Sequence, residues 1–268
     1  MKIRLDKLLV DRGLTPSRER AQALILAGKV LVNEQKFEKA GASIDSGSTL
    51  RLLGEGLRYV SRGGLKLEKA LEHWQIDLQG KVCLDVGAST GGFSDCMLQH
   101  GAAKVIAVDT GYGQMDFGLR SDPRIRLLEK TNARYLEPTD VGEPIDFIAM
   151  DVSFISATLV LPAVIRAASS SDTLSRNLSP DATAPAVSEV VRQMVVLVKP
   201  QFEAGRELVG KGGIVRDESA QRAAVARVEA ALVELGCVRA EWIESPILGG
   251  EGNREFLLHA EFSPLAIP

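Results

Sequence analysis

Short apolar runs alternate with amphipathic stretches along the chain from residue 81 onwards, and each run ends at a polar residue or a glycine. Such runs predict buried strands, and the amphipathic stretches between them predict helices. Strands are predicted at residues 81–88, 104–111, 124–132, 147–154 and 194–202. Helices are predicted at residues 93–99, 157–168 and 218–235. This alternation predicts an α/β fold built on a doubly wound, mostly parallel sheet.

Two segments depart from the alternation. The last apolar runs, at residues 237–248 and 254–262, have no helix between them and predict an antiparallel pair at one edge of the sheet. Residues 169–188 are rich in Ser, Asp, Ala and Pro and contain few large apolar side chains. Because such a composition buries little surface, we interpret this segment as a flexible insertion that takes no part in chemistry.

The first quarter of the chain has a different pattern and predicts a small separate α+β domain. Its helices are predicted at residues 4–10 and 18–27, and its strands at residues 29–33 and 49–53. Ser17 suits the cap of the second helix. Glycines at positions 54 and 56 predict a boundary, which divides the chain into domains 1–56 and 63–268 with a linker at 57–62.

Composition excludes several classes of protein. The chain has 268 residues, with 45% hydrophobic and 25% charged residues, as in an ordinary globular protein. It contains no apolar run long enough for a membrane span and no signal-peptide pattern, so we expect a cytoplasmic location. The three cysteines and three histidines are scattered, which predicts neither a metal site nor a disulfide framework.

Charge is distributed unevenly. Residues 1–66 carry 13 Lys and Arg against seven Asp and Glu, whereas the remainder carries 19 against 28. A basic first quarter on an acidic body predicts an appendage that binds a polyanion.

The first quarter also resembles the S4-type RNA-binding domain over residues 3–53. The resemblance is carried by RLDKLL, by SRERAQALILAGKVLVN and by a closing strand after a polar stretch. It implies that RNA is contacted by Arg4, Lys7, Arg18, Arg20 and Lys29. The alternative is an ordinary solvated helix face, since charges at helical spacing are common.

The first predicted strand of the larger domain leads into a glycine-rich turn, LDVGASTGGFSD, at residues 84–95. Glycines let a backbone approach a ligand closely, and the following helix offers free N–H groups. The spacing is neither GxGxxG nor a phosphate loop. The candidate binding residues in the turn are Gly87, Ala88, Ser89, Thr90, Gly91 and Gly92.

Acidic residues flank this turn. Asp85 precedes it, and Asp109 ends the next strand, 22 residues beyond Gly87, where a carboxylate can bind ribose hydroxyls. Asn132 ends the third strand, where an adenine edge would lie. This arrangement is typical of class I methyltransferases that bind S-adenosylmethionine. A carboxylate before the turn suits the amino group of that ligand better than a pyrophosphate, which it would repel.

The chain resembles the TlyA family over nearly its whole length, apart from residues 169–188. The motifs GASTGGFSD, VDTGYGQ, EKTNAR, MDVSFIS and VKPQFE occur in order behind the S4-type domain. The resemblance implies a Rossmann-like, FtsJ-related enzyme that uses S-adenosylmethionine to methylate a cytidine 2′-hydroxyl of ribosomal RNA. Thr110 departs from the small apolar residue expected in relatives, which affects packing near the ribose more than chemistry.

The family branch with short chain ends is the one assigned to large-subunit (23S) RNA alone. The ends of this chain, close to RLDKLL and to FLLHAEF, resemble that branch. We therefore expect 23S RNA as the substrate, and whether 16S RNA is a second substrate stays open. The partner is ribosomal RNA or a ribosomal subunit.

In FtsJ relatives, a Lys-Asp-Lys-Glu set performs the transfer, and the resemblance places it on Lys66, Asp151, Lys199 and Glu255. Lys199 would activate the hydroxyl, and Asp151 would hold Lys199 and the surroundings of the methyl donor. Lys66 and Glu255 would orient the ribose and balance the charge. Two alternatives remain open, namely Lys69 in place of Lys66 and Glu251 in place of Glu255.

Two other functions are less consistent with the sequence. A NAD-linked oxidoreductase would require GxGxxG and a catalytic His or Tyr at a suitable strand end, and neither is found. A membrane-lytic protein, which the old hemolysin label of the family suggests, would require a strongly amphipathic or apolar segment, and none is found.

Overall fold

The computed structural model describes residues 2–33, 35–52, 58–169, 192–249 and 252–262. The predicted boundary glycines at 54 and 56, the insertion beyond Ser169 and the rival acid Glu251 lie outside the described residues. The chain divides into two compact units, Met1–Arg58 and Tyr59–Pro268.

The first unit packs two helices against short antiparallel strands. Its strands are β1 (Lys2–Arg4), β2 (Val30–Val32), β3 (Gln35–Phe37), β4 (Ser43–Asp45) and β5 (Leu50–Leu52). Its helices are α1 (Leu5–Asp11) and α2 (Arg18–Leu26). β1 pairs with β4, and β2 lies between β3 and β5. Both predicted helices are present, and the Ser17 hydroxyl caps the second by accepting from the Arg20 N–H at 3.2 Å.

The second unit is built on a seven-stranded sheet in the order β11-β12-β10-β9-β6-β7-β8. The strands are β6 (Val82–Val86), β7 (Lys104–Val108), β8 (Ile125–Leu128), β9 (Phe147–Met150), β10 (Arg192–Val198), β11 (Cys237–Glu244) and β12 (Phe256–Phe262). β6 to β10 are mutually parallel, whereas β12 is antiparallel to both β10 and β11. The predicted sheet and its antiparallel edge are confirmed.

Helices cover both faces of this sheet. They are α3 (Gly63–His73), α4 (Gly92–Gln99), α5 (Phe117–Arg120), α6 (Pro138–Val141), α7 (Leu161–Ser169), α8 (Pro200–Glu203) and α9 (Glu218–Glu234). Alternate strand residues point to opposite faces, so Cys83 packs in the core with α3 and α4, while Leu84 packs with α7 and α9. Two cores on one sheet define a doubly wound fold, as the sequence predicts.

The prediction of a strand at residues 194–202 is wrong at its C-terminal end. β10 stops at Val198, and Pro200 begins the short helix α8. Proline lacks the N–H that a sheet requires, but it suits the first turn of a helix, where that N–H has no partner. The apolar run therefore delivers Lys199 to the junction between a strand and a helix.

Candidate active site

The strand register brings the sequence-predicted polar residues to one edge of the sheet. Val86 pairs with Met150 in the parallel β6–β9 ladder, so Gly87 and Asp151 follow their strands side by side. Val198 pairs with Phe256 in the antiparallel β10–β12 ladder. Lys199 follows its strand and Glu255 precedes its own, and both reach the same edge because the two strands run in opposite directions.

The two lysines and two acids form two ion pairs. Lys199 Nζ lies 2.5 Å from Asp151 Oδ1 and donates to Ser153 Oγ at 2.7 Å. Lys66 Nζ, from α3, donates to Glu255 Oε2 at 2.5 Å. The Lys66 and Glu255 side chains are only 11% and 3% exposed. Each buried charge is therefore balanced by an opposite one, as burial requires.

One cavity of about 240 Å³ adjoins both pairs, because Lys66 and Asp151 line it together. The remaining lining comes from the glycine turn, from the start of α3 and from the segment before β12: Ser61, Arg62, Gly63, Gly87, Ala88, Ser89, Thr90, Gly92, Phe93, Ile247 and Leu248. Of the four residues predicted to act together, Lys66 and Asp151 thus line the cavity, and Glu255 and Lys199 are paired with them. Lys69, the alternative to Lys66, is exposed on α3.

The glycine turn is shaped by close backbone contact. Gly87 has a φ of +86°, and a Cβ atom there would lie 2.3 Å from the Asp151 carbonyl oxygen. At Gly92, the first residue of α4, a Cβ atom would lie 2.2 Å from Ser61 Oγ. Only glycine fits at position 87, where the obstructing atom is backbone, so the turn can pack directly against the loop that carries Asp151.

Asp109 and Asn132 hold the neighbouring turns. The two Asp109 carboxylate oxygens accept from the Ser89 N–H at 2.7 Å and from the Gly111 N–H at 2.6 Å. Asn132 Oδ1 accepts from the Arg134 N–H at 3.1 Å. Neither residue lines the cavity formed by the described residues. Thr110, the departure from the family pattern, is exposed.

Asp85 lies beneath the turn and is fully buried. Ser94 Oγ donates to its Oδ2 at 2.5 Å, while its Oδ1 accepts no hydrogen bond from the described residues. Burial raises the pKa of Asp85 to about 7, the Ser94 hydrogen bond opposes that rise, and the Asp151 charge adds to it. Asp85 therefore titrates near neutral pH.

In the first unit, two of the arginines predicted to contact RNA hold a buried carboxylate. Asp6 Oδ2 accepts from Arg4 at 2.9 Å, from Arg18 at 3.0 Å and from Gln22 at 2.9 Å. These bonds, that of Arg4 foremost, hold the pKa of Asp6 well below its usual range. Lys7 and Lys29 are exposed and Arg20 is partly exposed. This structural role of Arg4 and Arg18 is not visible in the sequence pattern.

An exposed aromatic residue that follows Asp151 in the chain has no counterpart in the sequence predictions. Phe154, three residues after Asp151, is 91% exposed and has a φ of +64°, which is unusual for a bulky side chain. The centroids of the Phe154 and Phe202 rings lie 5.3 Å apart. An apolar ring in water within the MDVSFIS motif is a signal of ligand contact, but its exposure is visible only in the structure.

Glu203 is a further residue that the sequence analysis did not assign. It is buried at the end of α8 and accepts from Ser156 Oγ at 2.5 Å and from the Ala157 N–H at 2.6 Å. Burial raises its pKa, which these hydrogen bonds counteract. Glu203 therefore links the helix after Lys199 to the loop after Asp151. This link holds the two residues of the Lys199–Asp151 ion pair close to each other.

Comparison with known proteins gives two family matches. Residues 59–262 match the FtsJ-like methyltransferase family, and residues 3–50 match the S4 domain. No helix in the described part of the chain combines the length and apolar character needed to cross a membrane.

Similar proteins cover almost the whole chain. The Bacillus subtilis protein YqxC, named provisionally as an rRNA methyltransferase, is 46% identical over 96% of this chain and 85% of its own. The Mycobacterium tuberculosis 16S/23S rRNA (cytidine-2′-O)-methyltransferase TlyA is 41% identical over 95% of this chain and 88% of its own. A solved structure from Streptococcus thermophilus, named provisionally as a hemolysin, has a TM-score of 0.67 and 43% identity, and the match covers 97% of this chain and 88% of that one.

Proposed function

The chain belongs to the FtsJ-like methyltransferase family, and from this premise we propose that it methylates the 2′-hydroxyl of a cytidine in ribosomal RNA. S-adenosylmethionine is the methyl donor. The observation that carries the proposal is the pair of lysine–carboxylate contacts, Lys66–Glu255 and Lys199–Asp151, at one cavity. The names of relatives such as the M. tuberculosis protein support the cytidine 2′-oxygen as the acceptor.

The residues around the cavity fit the amino-acid end of S-adenosylmethionine. The N-terminus of α4 and the Arg62 guanidinium favour a carboxylate, while Asp151 favours an ammonium group. Each Asp109 oxygen accepts one backbone N–H and has lone pairs left for ribose hydroxyls. When bound, the cofactor supplies an electrophilic methyl group on a sulfonium.

Lys199 is assigned to the acceptor hydroxyl. A ribose hydroxyl is a weak nucleophile, so the transfer benefits from a group that takes its proton as the oxygen attacks. Asp151 and Ser153 fix the Lys199 amino group at the end of β10.

Lys66 and Glu255 are assigned to orientation of the ribose. Lys66 lines the cavity, and Glu255, just before β12, holds its ammonium group. A fixed cation at this position can donate hydrogen bonds to ribose oxygens and keep the attacking oxygen in line with the methyl group. The first unit, which matches the S4 domain, would bind the phosphates of the RNA. Its Lys7 and Lys29 are exposed and its Arg20 is partly exposed.

The proposal is tested by transfer of a labelled methyl group from S-adenosylmethionine to ribosomal RNA, followed by digestion to nucleosides. We expect label on 2′-O-methylcytidine with the unchanged protein and almost none with Lys199→Ala. Label on a base would contradict the 2′-O assignment. Full activity of Lys199→Ala would contradict the assigned role of Lys199 while leaving the substrate assignment in place.

A further inference from the structure

A glycine-rich segment between α8 and α9 is not used by the proposed mechanism. Residues 205–216, which we term the basic loop, contain Arg206, Lys211 and Arg216 against one acid, Glu207. All three cations are exposed, and none of them makes a side-chain hydrogen bond or ion pair with a described residue. This is a concentration of unpaired positive charge within the acidic part of the chain, because residues 67–268 carry 19 Lys and Arg against 28 Asp and Glu.

The base of the basic loop is fixed to the active site by Asn253, which is only 1% exposed. Asn253 Oδ1 accepts from the Val215 N–H at 3.0 Å, and its Nδ2 donates to the Gly213 carbonyl at 2.8 Å. The Asn253 carbonyl also accepts from the Gly249 N–H at 2.9 Å. Asn253 is two residues from Glu255, so the loop is anchored beside the Lys66–Glu255 pair.

The tip of the basic loop is free of packing. Gly210 and Ile214 form a β-bridge that closes the turn. Between them, Gly212 and Gly213 have φ values of +80° and +74°, and a Cβ atom at either position would meet nothing within 4 Å. Packing therefore does not explain the glycines at the tip. The buried Asn253 amide at the base of the loop shows that the fold fixes the position of the loop.

We propose that the basic loop binds backbone phosphates of the RNA strand that carries the target nucleotide. This inference rests on the proposed function. An RNA must approach a cavity in an acidic unit, and phosphates repel carboxylates at short range. The three exposed cations of the loop, whose base is anchored beside the Lys66–Glu255 pair, offset the repulsion where the strand enters, and the bare glycine backbone allows close approach.

The test compares two charge reversals that alter net charge equally. Lys211→Glu changes the loop tip. Lys81→Glu changes a lysine just before β6, at the amino end of a strand whose carboxyl end leads into the site. We expect Lys211→Glu to weaken binding of a ribosomal RNA fragment about tenfold. The salt slope, which is the slope of the logarithm of the binding constant against the logarithm of the salt concentration, should fall in magnitude by about one unit, because roughly one phosphate contact is lost. Affinity for S-adenosylmethionine and the kcat with saturating RNA stay unchanged.

Direct RNA binding, measured by fluorescence anisotropy over a salt series, separates this inference from the proposed function. Equal affinity and salt slope in Lys211→Glu and Lys81→Glu would overturn the role of the loop, even if the unchanged protein methylates ribose. If the unchanged protein methylates no ribose, the proposed function fails, and the binding comparison still decides whether the loop contacts RNA. A triple variant, Arg206→Ala with Lys211→Ala and Arg216→Ala, should lower the slope by about two units.

Discussion

Lys66 and Glu255 form a buried ion pair although 189 residues separate them in the chain. The pair joins α3, which precedes the first strand of the sheet, to the start of its last strand in sequence. Neither residue could be buried alone, because an unpaired charge in a protein interior is strongly unfavourable.

Loss of one member of this pair should cost more stability than loss of both. We expect Lys66→Met to lower the free energy of unfolding by about 3 kcal/mol, because Glu255 keeps a buried charge without a partner. Lys66→Met with Glu255→Gln should recover much of that loss. Urea unfolding of both single variants and the double variant measures the coupling. Additive effects of the two substitutions would show that the pair is not coupled.

Gly87→Ala should abolish cofactor binding for a steric reason. Its Cβ atom would enter the space of the Asp151 carbonyl oxygen, 2.3 Å away. Gly80→Ala is the matched control, because Gly80 also has a positive φ, of +73°, but its Cβ atom would meet nothing within 4 Å. Both variants carry a backbone strain of about 1 kcal/mol, and only the first distorts the site. Calorimetric titration with S-adenosylmethionine should separate them, and equal affinities would contradict the steric explanation.

Asp85 should make the protein less stable as the pH rises towards neutrality. Its pKa is raised from 3.8 to about 7 in the folded protein, chiefly by burial. Between these values the folded state holds a proton that the unfolded state has lost, so stability decreases as pH increases through this window. Asp85→Asn removes the titrating group.

Urea unfolding of the unchanged protein and of Asp85→Asn from pH 5 to pH 8 tests this expectation. The stability of the variant relative to the unchanged protein should increase with pH and level off above about pH 7, where both states have lost the proton. A difference that is constant across the series would contradict the raised pKa of Asp85.

The Arg18→Ala substitution should lower stability, whereas Arg20→Ala should weaken RNA binding. Arg18 holds the buried Asp6 carboxylate, so its loss should destabilise the first unit by about 1–2 kcal/mol. Arg20 makes no such contact among the described residues, so its loss should weaken RNA binding and lower the salt slope without lowering stability. Thermal unfolding and RNA titration of each variant check the distinction. Because Arg18→Ala also alters folding, Lys7→Ala with Arg20→Ala is the cleaner test of RNA contact.

Phe154→Leu should raise the KM for RNA about tenfold while leaving stability unchanged. The ring is 91% exposed, so it contributes little to the core, and stacking of a base on an aromatic ring is worth about 1–3 kcal/mol. Phe154→Trp retains an aromatic face and should keep a KM near that of the unchanged protein. Steady-state kinetics with a ribosomal RNA fragment would contradict the stacking role if the two variants behaved alike.

The sheet could be predicted from the sequence because its central strands are apolar on both faces and end at polar residues. The family resemblance is confirmed by the matches to the FtsJ-like and S4 families. The division of the chain at residues 56 and 63, and the roles of the site residues, remain predictions. Three short strands of the first unit, β1, β3 and β4, were not predicted, because three residues are too few to show an alternation.

Other features could not be predicted from local sequence. Arg4 and Arg18 looked like free cations on a helix surface, and only the burial of Asp6 shows that they have a partner. Glu203 stands next to the proline turn and was assigned no role from the sequence, yet its hydrogen bonds reach 46 residues back along the chain. Contacts between distant segments depend on how the helices and strands pack together. The spacing of apolar residues along the sequence does not predict this packing.

The position of β12 between β10 and β11 has a consequence for the time at which the enzyme becomes active. Glu255 enters the site only when this strand, the last to be synthesised of those in the sheet, inserts between two strands already made. Until then Lys66 lacks its counter-ion, and Asn253 cannot anchor the basic loop. With the proposed roles of Lys66 and Glu255, we expect activity only once β12 has inserted, so that competence arrives with the closing step of folding of the sheet.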